Sequence, residues 1–379
     1  MTDFRLLALR HPYILYTISF VIIILTRYIV QMLWSSRKNK FPVAGLTAIV
    51  TGGSQGLGLS LATQLAAKGA NVVIVAQDTV KLRKAQAEIE AAGVKPSDME
   101  QKQRFLNLSY DLRNPESAKK IVERVTSWND GRAPDLLFCC AGNCHPSFFA
   151  DASLDTHRGQ MDTIYWSSMY MAHAILNLWK EPSSSDNDRN NNGTGKKIAL
   201  PTRHIVFTCS TLAFLPVAGY SPYSPAKAAM RAMADGLNQE VAVYNGSRQG
   251  KGPSPDADIN VHIVFPMGII SPGFENENRL KPELTRKLEE DDTPQQPDDV
   301  AKITLKRLEA GDYIITTSFV GHLMRGAGMG GSLRGGVVDV FWNWLGSIVV
   351  LFVVPDFINK CRAWGKQRGV HSTTGGKTD

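Results

Sequence analysis

Within the stretch Ser210–Lys227, "STLAFLPVAGYSPYSPAK", three side chains have types and spacings suited to moving a proton onto a carbonyl. Tyr223 and Lys227 are four residues apart at the start of a helical pattern, "YSPAKAAMRAMADGLNQEVAVY", so their side chains share one helix face. A phenol titrates near pH ~10 in water, and a neighbouring ammonium stabilises its phenolate. Bringing that value to about 7 takes roughly 4 kcal/mol of differential stabilisation, which the lysine and a bound cationic cofactor ring would share. Tyr223 then serves as a proton donor. Ser210 lies thirteen residues before Tyr223 at the end of a strand-like run, where its hydroxyl would hold a carbonyl in line for hydride attack. Tyr220 precedes the helix that Pro222 delays and is expected to form a wall of the pocket.

A second constellation supports hydride chemistry. The run "LTAIVT" leads straight into "TGGSQGLG", Thr51–Gly58, with a helical pattern starting near Leu57. Glycines at a strand-to-helix turn let the backbone approach a pyrophosphate, whose charge then faces the helix N-terminus. After the next strand the chain reads "VAQDTVKLRK", placing Gln77 where a carboxylate would favour NAD and a cation would favour NADP. Lys81 is within reach of a 2′-phosphate, so NADPH is the expected cofactor. Asp111 closes the third strand and either accepts a hydrogen bond from adenine or caps the helix before Asn114 and Pro115.

These residues need a scaffold, and the chain supplies one in seven apolar runs: Leu46–Thr51, Asn71–Ala76, Arg104–Asp111, Asp135–Ala141, His204–Cys209, Ile259–Phe265 and Asp312–Thr316. Helical patterns separate them. This βαβ rhythm predicts an α/β, Rossmann-type, doubly wound parallel sheet of about seven strands. Two polar inserts, 181–197 and 245–258, cannot build a packed core and are expected to be surface loops. Asn107, Asn192 and Asn245 begin N-x-S/T triplets that have no meaning on a cytosolic domain.

Both ends are apolar. Tyr13–Trp34 is a 22-residue run broken only by Arg27 and followed by Arg37, Lys38 and Lys40, long enough for a membrane anchor and lacking a small-residue cleavage site. Val340–Pro355 is 16 residues, short for a span, leaving re-entrant, interfacial and buried-helix readings open. The expected organisation is an anchor and basic linker at 1–43, a Rossmann-type domain at 44–320 and a membrane-associated segment with a basic tail at 321–379. The net charge of +7 gathers near the two ends without a long basic block, which favours a membrane surface over nucleic acid. Five cysteines, an odd number in mostly strand-like contexts, fit a reducing compartment, and the spacing of Cys139, Cys140, Cys144 and His145 does not match a zinc site.

With "TGGSQGLG", "CCAG", Ser210-x12-Tyr223-x3-Lys227 and "PMGIIS" in this order, residues 44 to about 320 resemble the short-chain dehydrogenase/reductase family. The stretch Ser271–Pro282, "SPGFENENRLKP", together with the apolar ends, is similar to its branch that reduces 3-ketodihydrosphingosine to dihydrosphingosine in sphingolipid synthesis, and the Asn/Ser-rich insert at 181–197 resembles that of fungal members. The resemblance implies NADPH, a sphingoid ketone substrate, and attachment to the endoplasmic reticulum membrane with the active site facing the cytosol. Pairing of subunits through long core helices is common in the family. The resemblance assigns Gly52, Ser54, Gln55, Gly56, Gly58 and Lys81 to the cofactor's phosphates and ribose, Asp111 to adenine and Ile269 to the nicotinamide. Ser210, Tyr223 and Lys227 become the catalytic set, and no metal is implied. The chain departs from the family at Gln77, where an arginine is usual, and at Cys139, where an asparagine is usual. It also departs at Ile164, the usual place of an asparagine that supports a proton-relay water. A steroid- or retinoid-type membrane reductase and a catalytically impaired, cofactor-binding scaffold stay open as alternatives.

Overall fold

The structure, a computed structural model, describes residues 39–94, 102–181, 200–250 and 252–369. The predicted anchor Tyr13–Trp34, Asn192 and nearly all of the first polar insert lie outside those residues.

All seven predicted strands form: β1 Thr47–Thr51, β2 Asn71–Ala76, β3 Phe105–Ser109, β4 Leu136–Cys139, β5 Arg203–Thr208, β6 Ile259–Phe265 and β7 Ile314–Thr316. They pair in parallel in the order β3-β2-β1-β4-β5-β6-β7. Runs such as "TAIVT" are buried along their whole length because helices cover both faces. Alternate side chains feed two cores. On one face Ile49, Val73, Leu137, Ile205 and Ile263 meet Ile121 and Val125 of α3 (Pro115–Trp128). Ile175 of α5 (Ser167–Lys180) and Met230 of α6 (Tyr223–Ser247) complete that layer. On the other face Val50, Ile74, Phe138 and Val206 meet Leu61 and Leu65 of α1 (Gly56–Ala67). Leu82 of α2 (Thr79–Ala92) and Leu308 of α9 (Pro297–Ala310) join them. Because β1 is flanked by β2 and β4, the chain direction reverses across the sheet there, opening a crevice beyond the strand C-termini.

Between β4 and α5, α4 (Leu154–Gln160) runs into a π-helical turn, Met161–Trp166. The remaining helices lie C-terminal to β6 and β7: α7 Pro272–Leu280, α8 Glu283–Leu288, α10 Phe319–Gly328 and α11 Val337–Arg368.

Two sequence expectations change. The second polar insert is not all loop, since α6 continues to Ser247 and Asn245 exchanges two 2.8 Å hydrogen bonds with the backbone of Ile259. That pair of bonds fastens the helix end to the start of β6, and Arg248 with Asp258 closes the connection. The C-terminal apolar run is also part of a longer helix, which carries on through Pro355 and spans 32 residues. By length and composition α11 is able to cross a membrane. Leu351 and Phe352 are 70% and 72% exposed, which excludes a buried core helix. It crosses α10 in backbone contact: a Cβ on Gly346 would lie 2.5 Å from the Ala327 nitrogen, so only glycine permits the approach.

Candidate active site

The crevice starts where β1 ends. Thr51 Oγ1 accepts hydrogen bonds from the amides of Cys140 (3.1 Å) and Ala141 (3.3 Å) and donates to the Phe138 carbonyl, locking the ends of β1 and β4 together. Gly52 follows at φ +67°, and a Cβ there would fall 2.8 Å from the Ala141 backbone, so any other residue is excluded by both strain and space. Ser54 and Gln55 lead into α1, whose first residue is Gly56, and Gly58 is buried in its first turn. This bare N-terminus with a close backbone approach fits a dinucleotide pyrophosphate.

Lys81 donates to Gln55 Oε1 (3.1 Å), which holds its ammonium beside that turn. Asp78 is used as the cap of α2, accepting from the amides of Val80 and Lys81. Asp111 is not the cap of α3: Asn114 accepts from the Glu116 amide in that role. Instead Asp111 is paired in a fork with Arg113 (2.7 Å from Nη2, 3.0 Å from Nε), whose guanidinium holds the carboxyl below its ordinary range. Arg113 lines the crevice beside Gln77 and is a candidate anion contact that sequence reading missed, although it lies only two residues beyond Asp111.

Across the sheet, Tyr223 opens α6 and Lys227 lies one turn on, as the spacing predicted. The Lys227 ammonium donates to the Thr208 carbonyl (2.8 Å) and stands 5.7 Å from the Tyr223 ring centre. Ser210 precedes a short 3-10 turn, Thr211–Ala213, where its Oγ accepts from the Leu212 amide (3.2 Å) and bears on the Tyr223 hydroxyl. Burial pushes the Tyr223 hydroxyl well above its usual value, reinforced by Cys144 and Glu277 and opposed by Ser210. The expected lowering by Lys227 does not overcome that burial, and burial depresses Lys227 itself. The phenol therefore keeps its proton at neutral pH, the state a donor to a carbonyl oxygen requires.

Ile164 lies in the π-helical turn, wholly buried in the core cluster with Cys139 and Met171. Its neighbours Thr163 and Ser167 line the crevice instead. A chain of bonds, Gln160 Nε2 to Asn143 Oδ1 (2.8 Å) and the His145 amide to Gln160 Oε1 (3.1 Å), fixes the loop after β4.

Tyr220 is more than a wall. Its hydroxyl lies 2.7 Å from Glu277 Oε1 and 3.0 Å from Glu289 Oε2, and Lys281 bridges the two carboxylates at 3.5 and 2.7 Å. Glu277 falls inside the stretch Ser271–Pro282 and Glu289 outside it, but spacing gives no sign that α7 and α8 bring both to Tyr220 from 57 and 69 residues away. One cavity of about 990 Å³ joins Gly52, Lys81, Asp111 and Ile269 to Ser210, Tyr223 and Lys227, then to Glu277 and Glu289. Apolar side chains of α10 (Leu323, Met324) and α11 (Val349, Val353, Phe357) line it as well.

Residues 46–274 match the family model described as short chain dehydrogenase. Among curated relatives, the 3-ketodihydrosphingosine reductase ksrA of Aspergillus fumigatus is 48% identical over 349 residues, covering 91% of this chain and 92% of that protein. The 3-ketodihydrosphingosine reductase gsl-3 of Neurospora crassa is 39% identical, covering 88% and 86%. A 3-dehydrosphinganine reductase of Danio rerio is 28% identical, covering 80% and 78%. Among solved structures, a short-chain type dehydrogenase/reductase from Mycobacterium marinum superposes with a TM-score of 0.57 at 19% identity, covering 75% of this chain and 98% of that one. One from Burkholderia phymatum, in complex with NAD, gives 0.55 at 18% identity, covering 73% and 90%.

Proposed function

The chain belongs to the short-chain dehydrogenase/reductase family, and on that basis we propose that it reduces the ketone of 3-ketodihydrosphingosine to dihydrosphingosine with NADPH. The observation that carries this reading is the single cavity running from the glycine turn past Tyr223 to the apolar faces of α10 and α11. Such a space offers both a polar and an apolar neighbourhood, and a long-chain ketone needs both. The curated relatives' names support the substrate.

When bound, the nicotinamide supplies hydride to the carbonyl carbon. Tyr223 gives the matching proton to the carbonyl oxygen from its hydroxyl, and Ser210 holds that oxygen within reach. Lys227, fixed by the Thr208 carbonyl, places a positive charge beside the phenol and offsets the negative charge that proton loss leaves. Gly52, Ser54, Gln55, Gly56 and Gly58 would hold the pyrophosphate, Asp111 the adenine and Ile269 the nicotinamide. A nicotinamide cofactor follows from the family and from the NAD complex of the Burkholderia phymatum protein. Preference for the 2′-phosphate is read from Lys81 and Arg113, two cations that line the same crevice as Gln77.

The outer face of α11 carries Phe341, Trp344, Leu351 and Phe352 unburied, while Val349, Val353 and Phe357 face the cavity. A helix apolar on both sides fits a bilayer outside and a lipid chain inside. Residues 1–43 then act as anchor and linker, 44–320 as the reductase domain and 321–379 as a second membrane segment. The endoplasmic reticulum membrane, with the active site toward the cytosol, is the setting consistent with this substrate and with unpaired cysteines.

The test is NADPH oxidation by the purified chain with 3-ketodihydrosphingosine in detergent micelles. Tyr223→Phe should lose at least about a hundredfold in kcat, the usual size of a general acid's contribution, while still quenching its fluorescence on NADPH addition. Full activity in that variant would refute the mechanism.

A further inference from the structure

Tyr220 has one hydroxyl proton and two carboxylates within hydrogen-bond distance, so it serves one of them at a time. Lys281 makes its shorter contact with Glu289 (2.7 Å) and its longer one with Glu277 (3.5 Å). Glu289 thus has a close ion-pair partner, whereas the close partner of Glu277 is a neutral phenol. Both glutamate side chains are largely buried, at 16% and 14% exposure, and Lys281 is at 7%. Asp292 adds a third carboxylate to the same cavity wall. The other nearby cation, Arg286, is turned onto the carbonyls of Asn278 and Arg279. This end of the cavity therefore carries excess negative charge in partly desolvated surroundings, which a cationic ligand would balance. It adjoins the chemistry, since the rings of Tyr220 and Tyr223 are 6.1 Å apart and Glu277 bears on the Tyr223 hydroxyl electrostatically.

We propose that Glu277, held by Tyr220, receives the ammonium group that the substrate carries on the carbon next to its ketone, and so makes the enzyme selective for an α-amino ketone. The inference rests on the sphingoid-ketone reading and adds a residue that discriminates. An ammonium on Glu277 and a carbonyl oxygen on Ser210 and Tyr223 are two adjacent anchor points, which fix the orientation of the reacting carbon. A neutral ketone of the same chain length has only the second.

The experiment compares 3-ketodihydrosphingosine with the same hydroxyketone lacking the amine, and with its N-acetyl derivative, using full-length enzyme and NADPH. The wild type should prefer the free amine in kcat/KM by about tenfold to a hundredfold over the desamino ketone, the range of a charge-assisted hydrogen bond. In Glu277→Gln that preference ratio should fall to near unity, and Glu277→Asp, which keeps the charge, should recover part of it. Tyr220→Phe should reduce the ratio less than Glu277→Gln does, because it loosens the carboxylate without removing it. A ratio in Glu277→Gln equal to that of the wild type overturns the proposal, as does a wild type that turns over both ketones equally. If the wild type turns over neither ketone, the sphingoid-ketone reading itself fails, a separate outcome. NADPH binding by each variant shows that the fold is intact, and because the readout is a ratio, a partly inactive preparation does not mimic the effect.

Discussion

Replacing Ile164 by asparagine restores the residue usual at this place in the family, yet the structure predicts a cost rather than a gain. The side chain is fully buried beside Cys139 and Met171, and a Cβ placed on Gly142 would touch it at 3.7 Å. Removing a buried isoleucine forfeits about 1.5–3 kcal/mol of apolar burial. Setting an amide in its place without a partner adds about 1–3 kcal/mol. The sum, roughly 2.5–6 kcal/mol, lowers the melting temperature by on the order of 10 °C for a domain of this size. Thermal unfolding of the purified chain by circular dichroism measures this, with Ile164→Val as the conservative control, expected to lose about 1 kcal/mol. NADPH oxidation, read well below both melting points, should stay within about threefold of the parent, because Thr163 and Ser167, not residue 164, line the cavity. An asparagine variant as stable as the parent, or one at least tenfold faster, would show that a polar partner awaits this side chain and would refute the packing argument.

Two further outcomes follow from charge placement. Arg113→Ala should raise KM for NADPH about tenfold, the loss of one charge-assisted phosphate contact, and leave KM for NADH much less changed; equal rises for both cofactors would place Arg113 away from the 2′-phosphate. The buried pair His204 and His262 should make stability fall on acidification. His262 Nδ1 donates to the Asp312 carbonyl (2.7 Å), so its Nε2 accepts from His204 Nδ1 (2.9 Å), and His204 Nε2 is left without an acceptor for any added proton. Burial pushes His204 down to about 3 and His262 down to about 4, below the unfolded value of 6.5. Their contribution is complete above pH 6.5 and is lost progressively as pH falls toward those values, about 2 kcal/mol per histidine by pH ~5. Urea unfolding at pH ~7 and ~5 checks it, and a His204→Phe chain with an unchanged pH slope would contradict it.

The parts of the fold legible in the sequence are those whose signal is local. Strands such as Asn71–Ala76 are buried on both faces and so read as continuous β-branched runs. Tyr223 and Lys227 share a helix face by their spacing alone. The glycine turn is legible because it follows a strand directly. What sequence reading missed depends on distant elements: Glu277 and Glu289 meet Tyr220 only after α7 and α8 fold over the cavity. The rise of Tyr223 above its usual range comes from burial, a quantity spacing does not contain. The C-terminal helix outruns the apolar stretch Val340–Pro355, because charged residues such as Asp356 and Lys360 end the apolar run but not the helix, which continues to Arg368.

The same cavity explains why an apolar helix and a carboxylate pair belong to one enzyme. A sphingoid ketone has a cationic, hydroxylated head and a long apolar chain, with the reacting carbon at their junction. One cavity carries both kinds of wall, with Glu277 and Glu289 at Tyr220 beside Tyr223 and the valines of α11 also lining it. Neither wall selects alone: the carboxylates would accept any small amine, and the apolar faces any lipid. Joined at Tyr223, they admit a ketone whose charge and chain diverge from one carbon, and the close crossing of α10 and α11 at Gly346 holds the two helices of the apolar wall together. A bulkier residue at that crossing would have to part the two helices and, with them, the apolar end of the cavity.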